Sequence, residues 1–294
     1  MLKGFICPDK QVIDTKDCYQ GCRLGTRCMA LPVLKLIGTN REWKGVASTT
    51  QLLNGTMYSW LTLTHNFAVD PDSRMFALHG TIVHKQIEIA AKELGLTSEK
   101  ALSIDRDIMD LLDVDNQGLG LVDFKTWGSY RVAKALGIVE IGKKPDPSGE
   151  VYKSSGKWGK AGSPKMIPDF GIDEGKIDNM EATLQLNNYR VIFEEQTGDK
   201  LAWMRLQVIV RDGGTYLASG RGITRNSYLI EVPFLDDDMV RGYFKMKADQ
   251  LNEALEHGWT EPCTPSERWD DQRCKGYCEV WQWCPQGRLV KEIK

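Results

Sequence analysis

Asp123 and Lys125 lie two positions apart in a short apolar run, GLGLVDFKTWGSY, that is bounded by glycines. Such a run predicts a buried strand. Because strand side chains alternate between faces, both charged groups project from the same face. A carboxylate and an ammonium are costly to bury unless they are paired or used. The pair is therefore a candidate for chemistry, and an ion pair on an edge strand is the alternative.

The residues just before this strand also read as a strand, IMDLLDV, and a DNQG turn separates the two. A two-residue turn at Asn116 and Gln117 predicts that Asp110 lies opposite Asp123, with Cα atoms about 4.5–5.5 Å apart. Two such carboxylates repel each other unless a cation lies between them. A three-residue loop with Gly118 in the left-handed region would instead turn Asp110 to the other face. The metal site requires the first register.

An amphipathic helix is predicted ahead of the hairpin, capped by Asp72 or Ser73 and continuing to Gly95. Its apolar stripe comprises Phe76, Ile82, Val83, Ile87, Ala91 and Leu94. His84 and Glu88 are four residues apart and share a face of this helix. An imidazole beside a carboxylate can contribute to a metal site, and a histidine that is merely packed or solvated is the alternative.

Eight cysteines form two quartets with the same spacing, C-x10-C-x3-C-x5-C, near the two ends of the chain. Repetition of all three gaps predicts a metal module in each segment. Zn²⁺ is the expected ion, an iron–sulfur cluster is the alternative metal group, and disulfides or free thiols are the remaining possibility. The residues are Cys7, Cys18, Cys22 and Cys28, and Cys263, Cys274, Cys278 and Cys284.

The overall charge argues against a protein that is basic throughout. The formal net charge of the 294 residues is −2, so a site for a polyanion must be a local patch or depend on bound cations. The first residues, MLKGFICPDK, lack a long apolar region, and no run of 18 or more apolar residues predicts a membrane span. We expect a cytoplasmic protein that does not insert into membranes.

Residues 141–172 are rich in glycine, proline, serine and lysine and have no apolar period. They predict a long flexible insertion, which is either a solvated linker or a flap that contacts phosphates. A helix is predicted from about residue 178, with Gln185 and Tyr189 four residues apart on one face. The candidate DNA-binding residues are Lys153, Lys157 and Lys160 of the insertion and Arg221 and Arg225 near a later pair of predicted strands.

Four motifs occur in order along the chain: G-x-x-x-H, a strand aspartate, D-x-K and Q-x-x-x-Y. Their residues are Gly80 and His84, Asp110, Asp123 and Lys125, and Gln185 and Tyr189. In this order the chain resembles the PD-(D/E)XK nuclease superfamily, in particular its RecB-like branch, which includes the CRISPR-associated RecB-like exonucleases. The resemblance covers about residues 48–256. It implies an α/β restriction-endonuclease-like core, with a mixed central sheet flanked by helices.

The resemblance also implies roles for the motif residues. One or two Mg²⁺ or Mn²⁺ ions would be held by His84, Asp110, Asp123 and the Phe124 carbonyl, with Glu88 as a contact through water. Lys125 would orient the attacking water or stabilise phosphate charge. Gln185 and Tyr189 would position the DNA strand or support the lysine.

The implied activity is metal-dependent hydrolysis of DNA, as an exonuclease on ends or single strands. A setting in phage or mobile-element recombination or repair, in a bacterial or archaeal cell, fits this branch. No Walker A motif is present, so a helicase or recombination protein would be a separate partner. Relatives with an iron–sulfur cluster place one cysteine before the core and three after it. The two complete quartets here depart from that pattern and favour two zinc sites.

The sequence thus predicts three parts: a four-cysteine metal module in residues 1–30, a nuclease core in 31–259 that contains the 141–172 insertion, and a second four-cysteine metal module in 260–294. The alternative function is a catalytically silent DNA-binding or scaffolding protein whose zinc modules carry the interaction. The costly Asp110, Asp123 and Lys125 set counts against that alternative, because a silent core has no need of it.

Overall fold

A computed structural model describes residues 1–39, 43–102, 107–157 and 159–292. The chain forms two compact units that alternate along the sequence. The first unit comprises Met1–Leu112, Leu184–Leu201 and Phe234–Lys294, and the second comprises Asp113–Thr183 and Ala202–Pro233. Both cysteine-rich segments therefore belong to the first unit. The predicted division at residues 30 and 259 stays a prediction.

Two groups of strands lie in the first unit. A three-stranded sheet has the order β2-β1-β3, in which β1 is antiparallel to β2 and parallel to β3. A second group begins with the antiparallel pair β4 and β5. The bounds are β1 Leu2–Ile6, β2 Val12–Asp14, β3 Phe67–Val69, β4 Thr97–Ala101 and β5 Ile108–Asp115, the last of which continues into the second unit.

The second unit contains the strand that carries Asp123 and Lys125. This strand, β6 (Gly118–Trp127), is parallel to β9 (Trp203–Val210), and β9 is antiparallel to β10 (Ser227–Glu231). Five strands form one mixed sheet in the order β10-β9-β6-β5-β4. The predicted mixed α/β architecture is therefore confirmed at this level. Leu121, Leu206 and Val208 are fully buried, as expected for central strands.

The predicted turn between β5 and β6 is confirmed in length, because only Asn116 and Gln117 connect the two strands. Asp115 accepts a hydrogen bond from the Gln117 amide at 2.7 Å, which stabilises the turn. Gly118, however, has a φ of 120°, in the left-handed region that the alternative register requires. The pairing of Asp110 with Asp123 stays a prediction.

Eleven helices occur in the described residues. They are α1 Thr15–Gln20, α2 Leu31–Ile37, α3 Thr49–Leu53, α4 Thr56–Thr64, α5 Met75–Glu93, α6 Ser129–Ala135, α7 Met180–Thr197, α8 Tyr216–Ser219, α9 Asp237–His257, α10 Gln272–Gly276 and α11 Pro285–Glu292. None of the helices in the described part of the chain is long and apolar enough to cross a membrane.

Helix boundaries follow the capping residues that the sequence offers. Ser48 and Gln51 form a capping box at the start of α3, where each side chain accepts a hydrogen bond from the backbone of the other residue. Asp236 caps α9 by accepting from the Met239 amide, and Gly258 ends that helix with a positive φ.

The apolar stripe predicted for α5 is only partly buried. The helix is present, but Phe76, Ile82 and Leu94 are exposed, and only Leu78 and Ala91 are buried. Helical periodicity correctly indicates the secondary structure. It does not indicate how much of the stripe another element covers, because that depends on elements distant in sequence.

Residues 141–172 differ from the flexible insertion that the sequence predicts. β7 (Ile138–Pro145) and β8 (Met166–Ile172) pair as an antiparallel hairpin, with a bulge between Glu140 and Gly142. The hairpin has weak apolar alternation because most of β7 is exposed. The middle of β8 is half-buried, so backbone pairing and partial burial of β8 together hold this segment. Lys144 and Asp169 add an ion pair across it at 2.7 Å.

The first unit holds both cysteine-rich segments on one hydrophobic cluster. Phe5, Leu34 and Leu61 are nearly inaccessible in it, and Val280 and Cys284 from the last residues of the chain are buried in the same cluster. Cys18, Cys263 and Cys278 pack against it. The cysteine-rich segments are therefore extensions of a shared core.

A buried ion pair fixes the last segment to α9. The Lys247 ammonium contacts a Glu267 carboxylate oxygen at 2.6 Å, and the Lys247 side chain is only 5% exposed. The second Glu267 oxygen accepts from the Thr264 amide, next to Cys263. Burial raises the pKa of Glu267, but the hydrogen bonds from Lys247 and Thr264, together with the charge of Lys247, outweigh burial, so the pKa is lowered.

We expect Lys247→Ala to lower the free energy of unfolding by about 3–5 kcal/mol, because it leaves a partly buried carboxylate without its cation. Lys245→Ala is the matched control, since Lys245 is 76% exposed and pairs with Asp249 at the surface. Its effect should be below about 1 kcal/mol. Urea unfolding followed by circular dichroism measures both, and equal losses would contradict a stabilising role for the buried pair.

Candidate functional site

Three residues of the first unit form a cluster with the donor atoms of a metal site. One ligand atom each from His84, Glu99 and Asp110 lies within 4.8 Å of the other two. His84 Nδ1 and Asp110 Oδ2 are 3.4 Å apart. In the part of the chain that the structure describes, no other trio of histidine, cysteine or acidic residues is gathered as closely. All three are half-buried, so an ion there would remain accessible.

Strand pairing places Glu99 and Asp110 together. In the β4–β5 register Ser98 pairs with Leu111 and Lys100 with Met109, so Glu99 lies across from Asp110. Like charges directly opposite each other on paired strands are destabilising. Helix α5 packs against β4 and supplies the imidazole of His84. A cation would therefore relieve the repulsion between the two carboxylates.

The environment of Glu99 differs from that of an ordinary surface carboxylate. Burial, followed by repulsion from Asp110 and Glu88, raises the pKa of Glu99. Its backbone has a φ of 51°, which is uncommon for a residue other than glycine. Glu99 cannot be identified from the sequence, because TSEKA carries no motif and its partner strand is identified only by tertiary pairing.

Glu88, the predicted contact through water, lies outside this trio. Its carboxylate binds two lysines of its own helix: Lys85 at 2.8 Å and Lys92 through the other oxygen. The hydrogen bond from Lys85, together with that from Lys92, lowers the pKa of Glu88. These ion pairs are one helical turn from Glu88, as i,i+3 and i,i+4 neighbours should be.

In the second unit, Asp123 and Lys125 share one face of β6, as the strand alternation predicts, and they form an ion pair on this inner strand, whereas the alternative placed such a pair on an edge strand. The Lys125 ammonium lies 2.7 Å from Asp123 Oδ2, and the two side chains are 19% and 4% exposed. Phe124 between them is buried, and its Cα partner on β9 is Gln207. A buried carboxylate is thus matched by a cation that is still reachable from solvent.

Gln185 and Tyr189 lie on one face of α7, as predicted. The Gln185 amide donates to the Tyr189 hydroxyl at 3.2 Å, and Tyr189 is 5% exposed. Both belong to the portion of α7 that is part of the first unit. The hydrogen bond fixes the amide group, since a buried Tyr hydroxyl requires a partner.

Each cysteine quartet lines a single small cavity. One cavity is lined by Cys7, Cys18, Cys22 and Cys28, and the other by Cys263, Cys274, Cys278 and Cys284. All eight cysteines are among the described residues, and none of them is in a disulfide there. Burial raises the pKa of Cys18, of Cys263 and of Cys274, and raises that of Cys278 to about 12.

The sulfur spacing is wider than in a closed zinc site. Tetrahedral coordination with Zn–S distances near 2.3 Å places sulfurs about 3.8 Å apart. No three of the eight described thiols lie within 4.8 Å of one another. The donor set fits a thiolate-binding metal, but side-chain rotation would have to bring the sulfurs together.

The five predicted DNA-binding residues have different surroundings. Lys153, Lys157 and Lys160 are exposed in the segment that joins β7 to β8. Arg221 donates to the Ser129 hydroxyl at 2.9 Å. The Arg225 guanidinium lies over the Tyr228 ring, 5.3 Å from its centre. The two arginines are therefore held by contacts within the fold, and the three lysines are exposed.

This mixed α/β protein thus contains two clusters of ionisable side chains. One is a His–Glu–Asp trio in the first unit, and the other is an Asp–Lys pair in the second unit. No family model matches the sequence, and no curated protein matches it. A solved structure titled "Crystal structure of SSO0001" is similar at 14% identity, over 87% of this chain and 92% of that chain, with a TM-score of 0.39. A similarity at that level carries no argument about function.

We expect Glu99→Gln to weaken Mn²⁺ binding at least tenfold, since even residues that only support metal ligands contribute about 10–100-fold. Isothermal titration calorimetry measures the affinity. Because the pKa of Glu99 is raised, Mn²⁺ competes with a proton there. Wild-type affinity should therefore fall as the pH falls through that raised pKa, and the fall should be smaller in Glu99→Gln.

Glu93→Gln is the matched control, because Glu93 is an exposed carboxylate near the end of α5 and outside the trio. It should bind Mn²⁺ as the wild type does. Equal affinities for Glu99→Gln and Glu93→Gln would contradict the assignment of Glu99 as a ligand.

Proposed function

We propose that this protein is a divalent-metal-dependent deoxyribonuclease of the PD-(D/E)XK type, with a restriction-endonuclease-like core. The observation that carries the proposal is the His84–Glu99–Asp110 trio, whose ligand atoms lie within 4.8 Å of one another. His84 and Asp110 are two of the residues that the motif order assigns to metal binding. Their approach in the fold is independent of the sequence pattern that suggested them.

The trio fits a hard or borderline divalent ion. Carboxylate oxygens suit Mg²⁺ and Mn²⁺, and the His84 imidazole favours Mn²⁺ over Mg²⁺. Within the trio, Glu99 and Asp110 would supply the negative charge and His84 the nitrogen donor. When bound, such an ion supplies Lewis acidity and lowers the pKa of a coordinated water.

Asp123 and Lys125 have a different task in the proposal. The 2.7 Å contact holds the Lys125 ammonium in place, while 19% of its side chain remains exposed. A positioned ammonium can stabilise the charge that develops on a phosphoryl group, or orient the water that attacks it. The motif order supports using this pair together with the trio. Gln185 and Tyr189 would support the DNA strand or the lysine.

The protein would act on DNA ends or single strands in recombination or repair, with a helicase or recombination protein as partner. The exonuclease mode and this setting come from the family resemblance. The alternative is a catalytically silent DNA-binding or scaffolding protein. The Asp123–Lys125 pair favours the enzyme, because burial of a carboxylate with 4% exposure beside an ammonium is costly for a scaffold.

The two cysteine quartets are proposed to bind one structural Zn²⁺ each, with an iron–sulfur cluster as the alternative. The support is that each quartet lines one cavity with all four members. Thiolate is the donor that both metal groups prefer. Because both segments share the core of the first unit, bound metal would stabilise that unit.

We expect Lys125→Ala to reduce cleavage of an end-labelled oligonucleotide in Mn²⁺ by at least 10²-fold, and Asp123→Ala to do the same. EDTA should abolish wild-type cleavage. The assay uses single-stranded, blunt duplex and circular DNA, because cleavage of circles would identify an endonuclease. Circular dichroism confirms that each variant is folded.

Lys245→Ala serves as the lysine control, since its ammonium is exposed and pairs with Asp249 on the surface of α9. It should cleave as the wild type does. Cleavage by Lys125→Ala and Asp123→Ala at the wild-type rate would exclude the proposed active site. Absence of wild-type cleavage on every substrate, with DNA still bound, would favour the scaffold.

We expect Cys274→Ser to lose bound metal and to lower the melting temperature, because Cys274 is buried in its cavity. Elemental analysis by mass spectrometry should find about two zinc atoms per chain in the wild type and fewer in the variant. Ser266→Ala is the control, as Ser266 is exposed in the same segment. Unchanged metal content and melting temperature in Cys274→Ser would contradict a structural metal, and iron in place of zinc would indicate the cluster.

A further inference from the structure

We propose that the surface formed by Trp127, Tyr130, Arg131, Lys134 and Arg221 binds single-stranded DNA next to the Asp123–Lys125 pair. These five residues, the aromatic–cationic surface, belong to the second unit. The proposal rests on the proposed nuclease function only in assigning strand cleavage to the neighbouring Asp123–Lys125 pair. Binding of the strand can be measured without cleavage.

Strand geometry places this surface beside Lys125. Asp123, Lys125 and Trp127 alternate along β6 and therefore share one face. Two residues of strand span about 6.6 Å, so the Trp127 backbone begins one short step beyond Lys125. The Trp127 carbonyl accepts from the Arg211 amide at 2.8 Å, which extends the β6–β9 pairing to the end of the strand. Helix α6 starts immediately afterwards with Ser129 and Tyr130.

Cations lie over both aromatic rings of the surface. The Arg131 guanidinium is 4.9 Å from the centre of the Trp127 ring. The Lys134 ammonium and the Arg221 guanidinium are 5.5 Å and 5.7 Å from the centre of the Tyr130 ring. These contacts hold positive charge beside aromatic faces. The same combination, a cationic path with stacking platforms, is how proteins bind single strands without reading sequence.

The acidic groups nearby neutralise only part of this charge, because Asp178 and Asp212 face four cations. Asp178 lies 3.6 Å from both Arg131 and Lys134, and Arg131 also donates a hydrogen bond to the Asp178 backbone carbonyl. The Asp212 carboxylate accepts two hydrogen bonds of 2.6 Å from Ser129, one from the amide and one from the hydroxyl. The Arg221 guanidinium lies 3.7 Å from the Asp212 carboxylate, which is farther than the two Ser129 groups. Arg211 adds a fourth cation. Its guanidinium lies 3.6 Å from the position that a Cβ atom on Gly128 would occupy.

Exposure of Tyr130 selects the single strand as the occupant. Tyr130 is 58% exposed, although an aromatic ring packed for stability alone would be buried. In a duplex the base faces are already stacked on one another, so an exposed ring has no face to bind. In a single strand each base has a free face, and Arg131, Lys134 and Arg221 can contact the adjacent phosphates.

The test is binding of a fluorescein-labelled single strand of about 20 nucleotides, long enough to cover one binding site of this kind. Fluorescence anisotropy measures it in EDTA, so that no cleavage occurs. We expect Tyr130→Ala to weaken binding about tenfold and Tyr130→Phe to bind within about twofold of the wild type. Tyr277→Ala is the control for the loss of an exposed tyrosine, since Tyr277 is 67% exposed in the first unit. It should bind as the wild type does.

The charge is tested by salt dependence. Arg131→Gln should reduce the slope of log affinity against log salt by about one. Lys245→Gln, which removes one cation outside the aromatic–cationic surface, should leave the slope unchanged. The melting temperature of each variant is measured in parallel.

Three results would overturn the proposed role of the aromatic–cationic surface. Tyr130→Ala could bind the single strand with wild-type affinity, or Tyr130→Ala and Tyr277→Ala could lose the same amount of affinity. The third result is that Tyr130→Ala loses affinity for duplex DNA alone. Tighter, Tyr130-dependent binding of an RNA strand would overturn its assignment to DNA. Separate cleavage assays in Mn²⁺ distinguish the two proposals. If the wild type cleaves DNA and Tyr130→Ala binds the strand with unaltered affinity, only the proposed binding surface is contradicted. If binding depends on Tyr130 and no cleavage occurs, only the proposed nuclease activity is contradicted.

Discussion

Repulsion between Glu99 and Asp110 is the constraint around which the candidate metal centre is arranged. The antiparallel β4–β5 register puts the two carboxylates across from each other, and His84 approaches Asp110 to 3.4 Å from α5. Burial adds to the difficulty, since it raises the pKa of Glu99. A fold that gathers two carboxylates and an imidazole without burying them completely needs either protons or a cation there. The proposed metal-dependent chemistry follows if a divalent cation, and not a proton, balances these charges.

The Asp123–Lys125 pair meets the opposite constraint within the second unit. There a carboxylate with 4% exposure is neutralised by its own strand neighbour. Parallel pairing of β6 with β9 surrounds the pair with apolar side chains such as Leu121 and Leu206, so neither charge can be hydrated fully. A pair held this way is oriented but still accessible at the ammonium. That property suits an active-site lysine better than a structural one.

The cysteine-rich segments follow a third principle, which is that short polar segments need an external source of stability. Residues 1–30 and 260–294 reach the core of the first unit through Leu2, Phe5, Val280 and Cys284. The buried Lys247–Glu267 pair fastens the last segment to α9. Packing therefore holds both segments, and the ion pair holds the last one. Thiolate-bound metal would add to that stability.

Elements whose signals are local could be predicted from the amino-acid sequence alone. The two-residue turn after Asp115 and the common face of Asp123 and Lys125 could be predicted, because each depends on residues within a few positions of one another. The caps of α3 and α9, at Ser48 and Asp236, are local in the same way. Only the tertiary structure brought Glu99 to Asp110, exposed Phe76 and Ile82 on α5 and paired β7 with β8. These features depend on contacts between segments far apart in sequence, and such contacts leave no periodic pattern in the chain.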